Sequence, residues 1–396
     1  MKTNVRPENT RRTHNNNNNM KEYGNMKTKK YVIALAACCA IGVSSVGAQK
    51  YGLTDLGYLP NKKETVSTAA AINNSGWVAG TSGGAAYRFV KEMEEIGWDP
   101  NGLSRGFGID DFGQVVGDAT FKGGSFSHAA LFSNGSVRDL GTLKGSWPFS
   151  RANSINASGQ VVGFCSQKFD SEGARAFLVN VPDGTTRLAR MVDLGTLGGQ
   201  FAQAWGINDS GFVTGNSQTK SDFGVTHAFI WHAKTGMLDL GTLAGDFSYG
   251  TFINPNSHVV GYSTIDKGND RVHAFLHDGK EMLDLGSLGG ASMESDRSFA
   301  LGVNSSDQVV GYSYLPGPYP GPIYSQKVAF VYSNGLMRNL NDLIGDSAID
   351  YRLDSATAIN DKGQIVAIAF VYSADNYHAV LLTPIGKDAS VVELDR

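Results

Sequence analysis

The chain repeats one pattern seven times, most clearly as Asn208-Asp209-Ser210-Gly211-Phe212-Val213-Thr214-Gly215, then His227-Ala228-Phe229-Ile230-Trp231, then Leu238-Asp239-Leu240-Gly241-Thr242-Leu243. An apolar anchor precedes the first motif of every copy and recurs roughly every 50 residues, a period typical of blade, solenoid and array folds. The anchors are Ile72, Ile109, Ile155, Ile207, Ile253, Val303 and Ile359. Repetition along most of the chain predicts one closed domain, although the length alone would allow two.

Each copy contains four short runs of β-favouring residues that are separated by turn residues. In the clearest copy the runs are residues 204–207, 212–215, 227–231 and 237–240. Four antiparallel strands per repeat form one blade of a β-propeller. The sequence therefore predicts an all-β fold, a seven-bladed propeller over residues 49–396. An eight-bladed ring or an arrangement in two halves is the alternative because the first copy is short.

Turn chemistry predicts which face of the propeller carries the long loops. The first turn of every copy begins with a residue whose side chain can accept a hydrogen bond from its own turn. These residues are Asn73, Asp110, Asn156, Asn208, Asn254, Asn304 and Asn360. The third turn is also tight, as in Ser133-Asn134-Gly135. Because antiparallel strands alternate in direction, the long connections share the opposite face, where we expect function.

The two ends of the repeated region complement each other. The seventh copy, residues 350–384, lacks the Asp-Leu-Gly strand, whereas an unassigned Leu53-Thr54-Asp55-Leu56-Gly57 stands before the first copy. We predict that this N-terminal strand completes the last blade. Such closure removes a sheet edge that would otherwise template aggregation.

Composition narrows the classes of partner. The chain has 34 basic and 37 acidic residues, a net charge of -3, and no basic stripe of the kind that binds nucleic acid. Its 49 glycines suit a chain of tight turns and closely packed strands. Of the three cysteines, only Cys165 lies in the repeats, so no disulfide is expected within the folded domain.

The N-terminal segment has the pattern of a signal peptide. Lys27, Lys29 and Lys30 precede an apolar run that ends in Val46-Gly47-Ala48. We predict a signal peptide at residues 26–48, a secreted or periplasmic protein, and no membrane span after cleavage. Cleavage at Leu35-Ala36-Ala37-Cys38 to give a lipoprotein is the alternative. Residues 1–25 are read as a disordered leader or as a start assigned too early.

The repeated strings resemble a known family. His-Ala-Phe-Leu, Asp-Leu-Gly-Thr-Leu-Gly-Gly and Gly-Gln-Val-Val-Gly recur in order, most clearly in residues 154–163, 227–245 and 273–290. This pattern is similar to the HAF-repeat family of bacterial proteins, which are regarded as extracellular. The resemblance implies an exported repeat protein and supplies no catalytic residues.

The repeated histidines and aspartates are interpreted as structural. His128, His227, His273 and His378 occupy one position in four blades, too far apart to share one metal ion. The matching carboxylates, Asp55, Asp139, Asp193, Asp239 and Asp284, are expected to accept backbone hydrogen bonds. No cofactor, metal site or catalytic residue is predicted.

Aromatic residues near the loop-bearing face form the candidate ligand-binding set. Flat rings beside polar side chains can stack on sugar rings or anchor a protein partner. The set comprises Trp147, Phe149, Phe247 and Tyr249 in blade connections, and Phe169, Phe223, Tyr314, Tyr319 and Tyr324 in the long loops. Packing between blades is the competing interpretation for Trp147 and Phe247, which align with Phe201 just after the Gly-Gly position.

The sequence thus predicts an exported, monomeric, non-catalytic binding or scaffold protein that presents its loop-rich face to a glycan or a protein. The alternative is an extracytoplasmic polysaccharide hydrolase or lyase on the same scaffold. Such a site would be built from residues that break the repeat. The candidates are Asp170, Asp222, Asp266, Asp270, Asp296 and Arg297.

Overall fold

The computed structural model describes residues 48–60, 62–97, 102–121, 126–145, 147–167, 173–181, 190–220, 225–290, 295–316, 326–345 and 348–386. Their strands form seven separate four-stranded antiparallel sheets. The predicted seven-bladed β-propeller is confirmed. The described residues contain no α-helix, and a short 3₁₀ helix spans Leu340–Asp342.

Blades 1 to 3 each consist of four strands in chain order, from the inside of the ring outward. Blade 1 contains β2 (Ser67–Ile72), β3 (Val78–Ser82), β4 (Ala85–Phe89) and β5 (Met93–Glu95). Blade 2 contains β6 (Ser104–Ile109), β7 (Val115–Thr120), β8 (Ser127–Ser133) and β9 (Ser136–Gly141). Blade 3 contains β10 (Phe149–Ile155), β11 (Gln160–Ser166), β12 (Arg175–Asn180) and β13 (Val192–Asp193).

Blades 4 to 6 follow the same order. Blade 4 contains β14 (Gly198–Ile207), β15 (Val213–Thr219), β16 (Thr226–His232) and β17 (Gly236–Asp239). Blade 5 contains β18 (Ser248–Ile253), β19 (Val259–Thr264), β20 (Val272–His277) and β21 (Met282–Asp284). Blade 6 contains β22 (Ser298–Val303), β23 (Val309–Leu315), β24 (Gln326–Ser333) and β25 (Leu336–Asn339).

Blade 7 is completed by the N-terminal strand, as predicted. Its inner strands are β26 (Tyr351–Ile359), β27 (Ile365–Val371) and β28 (Asn376–Ile385), and β1 (Lys50–Asp55) is its outermost strand. β1 pairs antiparallel with β28, with Leu53 opposite Leu382. The two ends of the described domain therefore meet in one sheet.

The strands extend farther than the sequence indicated. β14 begins at Gly198, and β23 continues to Leu315, because the ladders with their neighbours run on toward the long connections. The long connections are correspondingly shorter, and blade 1 joins its second and third strands through Gly83 and Gly84 alone. We call the face with the first-to-second turns (Asn73 and its equivalents) the hairpin face. The opposite face, with the second-to-third and blade-to-blade connections, is the loop face.

The core lies between neighbouring blades. Aromatic rings on the third strands are fully buried there, and burying each contributes about 2–3 kcal/mol. They are Tyr87, Phe177, Phe229, Phe275 and Phe330. Phe229 and Phe275 belong to the repeated His-Ala-Phe motif, and Phe177 and Phe330 hold the same position in blades where Arg175 and Val328 replace the histidine. The aromatic position of this motif therefore builds the blade-to-blade packing.

A ring of asparagine side chains joins the blades at the hairpin face. Each Oδ1 accepts backbone hydrogen bonds from its own turn, as Asn73 does from Ser75 and Trp77. Each Nδ2 donates to the carbonyl oxygen of the equivalent residue in the next blade, at 2.9–3.2 Å. The donors are Asn73, Asn156, Asn208, Asn254, Asn304 and Asn360. Asp110 occupies the remaining position.

The predicted signal peptide, residues 26–48, and the leader before it lie outside the described residues except for Ala48. Within the described part of the chain, no helix has the length and hydropathy that a membrane crossing requires.

Candidate functional site

A β-bulge interrupts the innermost strand of every blade at the same position. There the pairing with the second strand shifts by one residue, so one inner-strand residue has no partner in the ladder. Bulges redirect side chains, often toward functional sites. The seven bulge residues are Ala70, Phe107, Asn153, Trp205, Thr251, Leu301 and Thr357. All of them line a cavity of about 700 Å³ that the innermost strands enclose.

A second tier of side chains lies nearer the loop face, because each innermost strand runs from the loop face toward the hairpin face. This tier is made of cross-strand pairs between the first and second strands. The pairs are Thr68/Thr81, Arg105/Asp118, Arg151/Phe164, Gln203/Asn216, Tyr249/Tyr262 and Phe299/Tyr312. A smaller cavity of about 290 Å³ lies at this level and shares Arg151, Gln203 and Trp205 with the larger one.

Two arginines in this tier have different surroundings. Arg105 donates to both carboxylate oxygens of Asp118, with its Nε at 2.9 Å. Arg151 instead lies between aromatic rings, with its guanidinium carbon 3.6 Å from the ring centroid of Phe107 and 5.7 Å from that of Trp205. Burial lowers the pKa of Arg151 to about 10, against a smaller opposing effect of Asp118. Arg151 therefore remains cationic at neutral pH.

Neutral polar groups beside Arg151 complete this side of the cavity. The indole of Trp205 donates to Asn216 Oδ1 at 2.6 Å, which fixes the ring. Asn153 Nδ2 donates to the carbonyl oxygen of Ala204 at 2.8 Å, so the amide orientation is set. Asn153 Oδ1 is buried and has no hydrogen-bond partner among the described residues.

A chain of aromatic rings lines blades 5 and 6. Tyr249 stacks on Tyr262 and Phe299 stacks on Tyr312, at centroid distances of 4.9 and 4.7 Å. Tyr262 and Phe299 meet edge to face at 4.9 Å, which links the two stacks. Burial raises the pKa of Tyr312 to about 12, so its hydroxyl remains protonated and available as a donor. Tyr249, Tyr262 and Tyr312 also line the larger cavity.

The structure brings only part of the predicted aromatic set together. Tyr249 lines the larger cavity and Phe149 the smaller one. Tyr314 lies in β23 rather than in a loop, and contacts Phe299 and Tyr312 edge to face. Phe149 and Tyr249 likewise lie within β10 and β18, not in blade connections. The inner strands thus begin nearer the loop face than the sequence indicated.

Trp147 and Phe247 line neither cavity. Trp147 packs against the buried cluster between blades 2 and 3, as its packing interpretation predicts. Phe247 is half-buried, and its carbonyl oxygen accepts hydrogen bonds from Ser263 and Thr264. Phe169, Phe223, Tyr319 and Tyr324 lie outside the described residues.

The histidines and carboxylates of the repeat bind each other within blades, which confirms their structural interpretation. The pairs are His128–Asp139, His227–Asp239, His273–Asp284 and His378–Asp55, with Nδ1 2.8–3.0 Å from the carboxylate. In blade 3 Arg175 replaces the histidine and pairs with Asp193. Each aspartate also accepts the backbone N–H two residues on, as Asp239 does from Gly241 at 2.7 Å.

His273 differs from its equivalents because a second carboxylate holds its other nitrogen. Its Nε2 lies 2.8 Å from Asp296, which also accepts from Ser287 at 2.7 Å. Burial opposes protonation of His273, but the hydrogen bonds and charges of Asp284 and Asp296 outweigh it, and the pKa of His273 is raised. The contact of His273 with Asp296 joins the third strand of blade 5 to the connection into blade 6.

Four residues of the predicted hydrolase or lyase site lie in the described part of the chain, and they make internal contacts of the same kind. Asp266 accepts from Arg271 Nε at 2.8 Å, and Asp296 is 3.4 Å from Arg271 Nη1. Arg297 donates to the carbonyl oxygen of Asp270 at 3.2 Å. Asp170 and Asp222 lie outside the described residues. No group of three histidine, cysteine, aspartate or glutamate side chains converges on a metal position in the described part of the chain.

Cys165 is a buried replacement for a repeated serine. Its Sγ accepts the backbone N–H of Leu143 at 3.3 Å, as the Ser217 and Ser263 hydroxyls accept from Leu197 and Leu243 at 2.9 Å. Burial raises the pKa of the Cys165 thiol to about 12. The thiol is therefore a protonated spacer.

Sequence reasoning missed Arg151 and the bulge residues. A signal for them is present in the pattern Ser-x-Ala/Gly-x-x-Ile of the innermost strands, as in Ser150–Ile155 and Ser248–Ile253. In blades 1 to 6 the Ser and Ala/Gly positions of this pattern hold small residues, whereas the positions marked x vary from blade to blade. Because the variation is restricted to these positions, their side chains are not required for the packing of the blade.

Comparisons with known proteins agree on the fold and leave the activity open. A family model described as a protein of unknown function (DUF3466) matches residues 198–385. No curated protein sequence matches the chain. An oligogalacturonate lyase in complex with manganese is similar in structure, with a TM-score of 0.51, 12% sequence identity, and coverage of 84% of this chain and 97% of the lyase.

Two further solved structures are similar at lower TM-scores. The β-propeller domain of the Trilobed protease from Pyrococcus furiosus has a TM-score of 0.48 and 10% identity, covering 86% of this chain and 99% of that domain. A puromycin-hydrolyzing peptidase from Mycobacterium tuberculosis has a TM-score of 0.45 and 12% identity over 77% of this chain. The chain spans 50% of the length of that peptidase.

Proposed function

We propose that the chain is an exported, non-catalytic binding protein that takes the end of a glycan into its central cavity from the loop face. The observation that carries this proposal is the ring of seven bulge residues around one cavity. The blades share their packing and turn residues, yet the bulge positions hold side chains as different as Ala70, Asn153 and Trp205. Such a cavity has the varied lining of a ligand site rather than the uniform lining of a repeat.

The chemistry of the lining suits a sugar. Sugar rings bind through aromatic faces and through several hydrogen bonds to hydroxyl groups. Trp205 and Tyr249 supply aromatic surface, and Asn153, Gln203 and Thr251 supply polar groups in the same cavity. Its volume of about 700 Å³ lies within the range of about 300–1,000 Å³ that is typical of small-molecule sites.

The remaining features of the proposal come from the sequence. The predicted signal peptide, residues 26–48, and the resemblance to HAF repeats support an exported protein. We propose that it is a monomer. Phe169, Phe223, Tyr319 and Tyr324, which the sequence assigns to long loops, stay candidates for contacts with further sugar units. A protein partner on the loop face is the other class of ligand that the sequence left open. The enclosed cavity favours the glycan.

Binding of oligosaccharides to the purified protein, measured by thermal shift and calorimetry, tests the proposal. A ligand that binds the folded state raises its apparent stability. We expect an oligosaccharide to raise the melting temperature, and Trp205→Ala to weaken its binding about tenfold because a stacking surface is lost. Phe112→Ala is the matched control, since Phe112 is exposed on the hairpin face.

Two outcomes contradict the proposal. One is that no oligosaccharide in a broad panel shifts the melting temperature. The other is that Trp205→Ala and Phe112→Ala bind as the unmodified protein does, which would place binding outside the cavity.

A further inference from the structure

Arg151 carries an uncompensated positive charge into the cavity. Among the described residues that line the larger cavity it is the only charged one. The acidic residue that lines the smaller cavity, Asp118, accepts hydrogen bonds from Nε and Nη2 of Arg105. The Nε of Arg151 is buried and has no hydrogen-bond partner among the described residues.

The guanidinium of Arg151 is placed so that a ligand can bind along its edge. Phe107 lies 3.6 Å from the guanidinium carbon, so an aromatic ring covers one face of the group. The donors of a guanidinium lie in its plane and match two oxygens of a carboxylate or phosphate. A cation that is stacked in this way and lacks a carboxylate of its own can bind an anion without first breaking an internal ion pair.

Asn153 offers the complementary group two residues along the same strand. Asn153 is 7% exposed, and its Oδ1 is buried without a partner, while its Nδ2 is already bonded to Ala204. An unsatisfied buried acceptor destabilises the folded state unless a donor reaches it. A hydroxyl group on a bound ligand would supply that donor.

We propose that the cavity binds an acidic sugar, whose carboxylate or phosphate group pairs with Arg151 and whose hydroxyl group donates to Asn153 Oδ1. This inference rests on the proposed function, which it narrows from glycans in general to those with an acidic unit at the bound end. Both groups that the ligand satisfies are carried by β10, and Trp205 on the neighbouring β14 stands beside them.

The stability of the ligand-free protein gives an independent readout. A partly buried cation without an ion pair can destabilise a folded state, and replacing it with a neutral residue relieves that cost. We expect Arg151→Gln to leave the melting temperature of the ligand-free protein unchanged or raised. Arg175→Gln is the matched control in the same blade, because Arg175 is paired with Asp193 and lines neither cavity.

Binding of three matched sugars to the full protein tests the inference. Glucose, glucuronate and glucose 6-phosphate share one ring and differ in their acidic group. We expect at least one acid to bind more tightly than glucose, and Arg151→Gln to weaken that acid by about tenfold or more while affecting glucose little. Arg151→Lys should retain part of the preference because it keeps the charge but loses the paired donors. The preferred acid identifies the group as carboxylate or phosphate.

The outcomes separate this inference from the proposed function. If neutral oligosaccharides bind but neither acid gains over glucose, or if Arg151→Gln keeps the preference for acids, the acidic-sugar inference is wrong and the binding role stands. If no neutral or acidic sugar binds, both are wrong.

Discussion

Asp110 interrupts the hydrogen-bonded ring at the hairpin face. An aspartate cannot donate as the asparagines of the other blades do, and Asp110 Oδ2 is buried without a partner among the described residues. Asp110 is only 4% exposed. Its Oδ1 still accepts from Phe112 and Gln114, so the turn itself is intact. Asp110 therefore stabilises its own turn but donates no hydrogen bond to Asn156.

We predict that Asp110→Asn stabilises the protein at neutral pH by about 1 kcal/mol, because the new amide can donate to Asn156 and closes the ring. Denaturant unfolding measures the change. The matched control is Asn360→Asp, which removes the donor to Asn73 and should be destabilising by about 1–3 kcal/mol. If Asp110→Asn instead lowers the free energy of unfolding, closing the hydrogen-bonded ring does not stabilise the fold.

The sign of the pH dependence follows from the same residue. Burial raises the pKa of Asp110 in the folded state, so the folded state holds this proton more firmly than the unfolded chain does. The cost of ionising Asp110 is therefore fully present above its raised pKa and disappears as the pH falls toward its ordinary value of about 3.9. The advantage of Asp110→Asn should be greatest at neutral pH and shrink on acidification.

At the scale of the strand, a repeated glycine brings the first two strands of a blade close together. A Cβ at Gly261 would lie 1.8 Å from the carbonyl oxygen of Tyr249, and five equivalent glycines have the same clash at 1.7–2.0 Å. They are Gly80, Gly117, Gly163, Gly215 and Gly311. In blade 7 the position is Ala367, and there β26 has a second shift of register between Leu353 and Ser355.

We predict that Gly261→Ala destabilises the protein by about 3 kcal/mol, because the strand pair must separate or shift its register. Gly52→Ala is the matched control, since a Cβ at Gly52 in β1 meets its nearest atom at 3.9 Å. It should be neutral or slightly stabilising. Comparable losses in the two variants would argue against close strand approach as the cause.

The same bulges explain where sequence reasoning succeeded and where it stopped. The blades, their turns and the His–Asp pairs follow from local motifs, and the closure followed from one missing strand. The bulge at Asn153 or Trp205 depends on how two strands pair across a turn, and the pattern Ser-x-Ala/Gly-x-x-Ile marks its position without revealing the shift in pairing. Tyr314 was assigned to a loop for a related reason, because its strand is extended by pairing with β24.

At the scale of the whole molecule, the ring is closed by β1, which no short connection links to the other strands of blade 7. β1 reaches β28 only through the entire length of the domain, and its contacts in blade 7 are noncovalent. Asp55 joins three groups there, namely His378 at 2.8 Å, Gly57 at 2.7 Å and Tyr351 at 3.2 Å. Tyr51 is buried beside them in the last blade.

We predict that Asp55→Ala lets β1 detach locally, because the strand can leave blade 7 without unfolding the other blades. Native-state hydrogen exchange should then show faster exchange in β1 and in the exposed edge of β28. Asp239→Ala is the matched control: Asp239 has the same contacts with His227 and Gly241, but a short turn ties β17 to β16. Faster exchange in Asp239→Ala should stay within blade 4.

An unpaired β28 edge can also template association between molecules, so Asp55→Ala should self-associate at high concentration whereas Asp239→Ala should not. Identical exchange and association in the two variants would mean that closure by β1 contributes no more than any other outer strand.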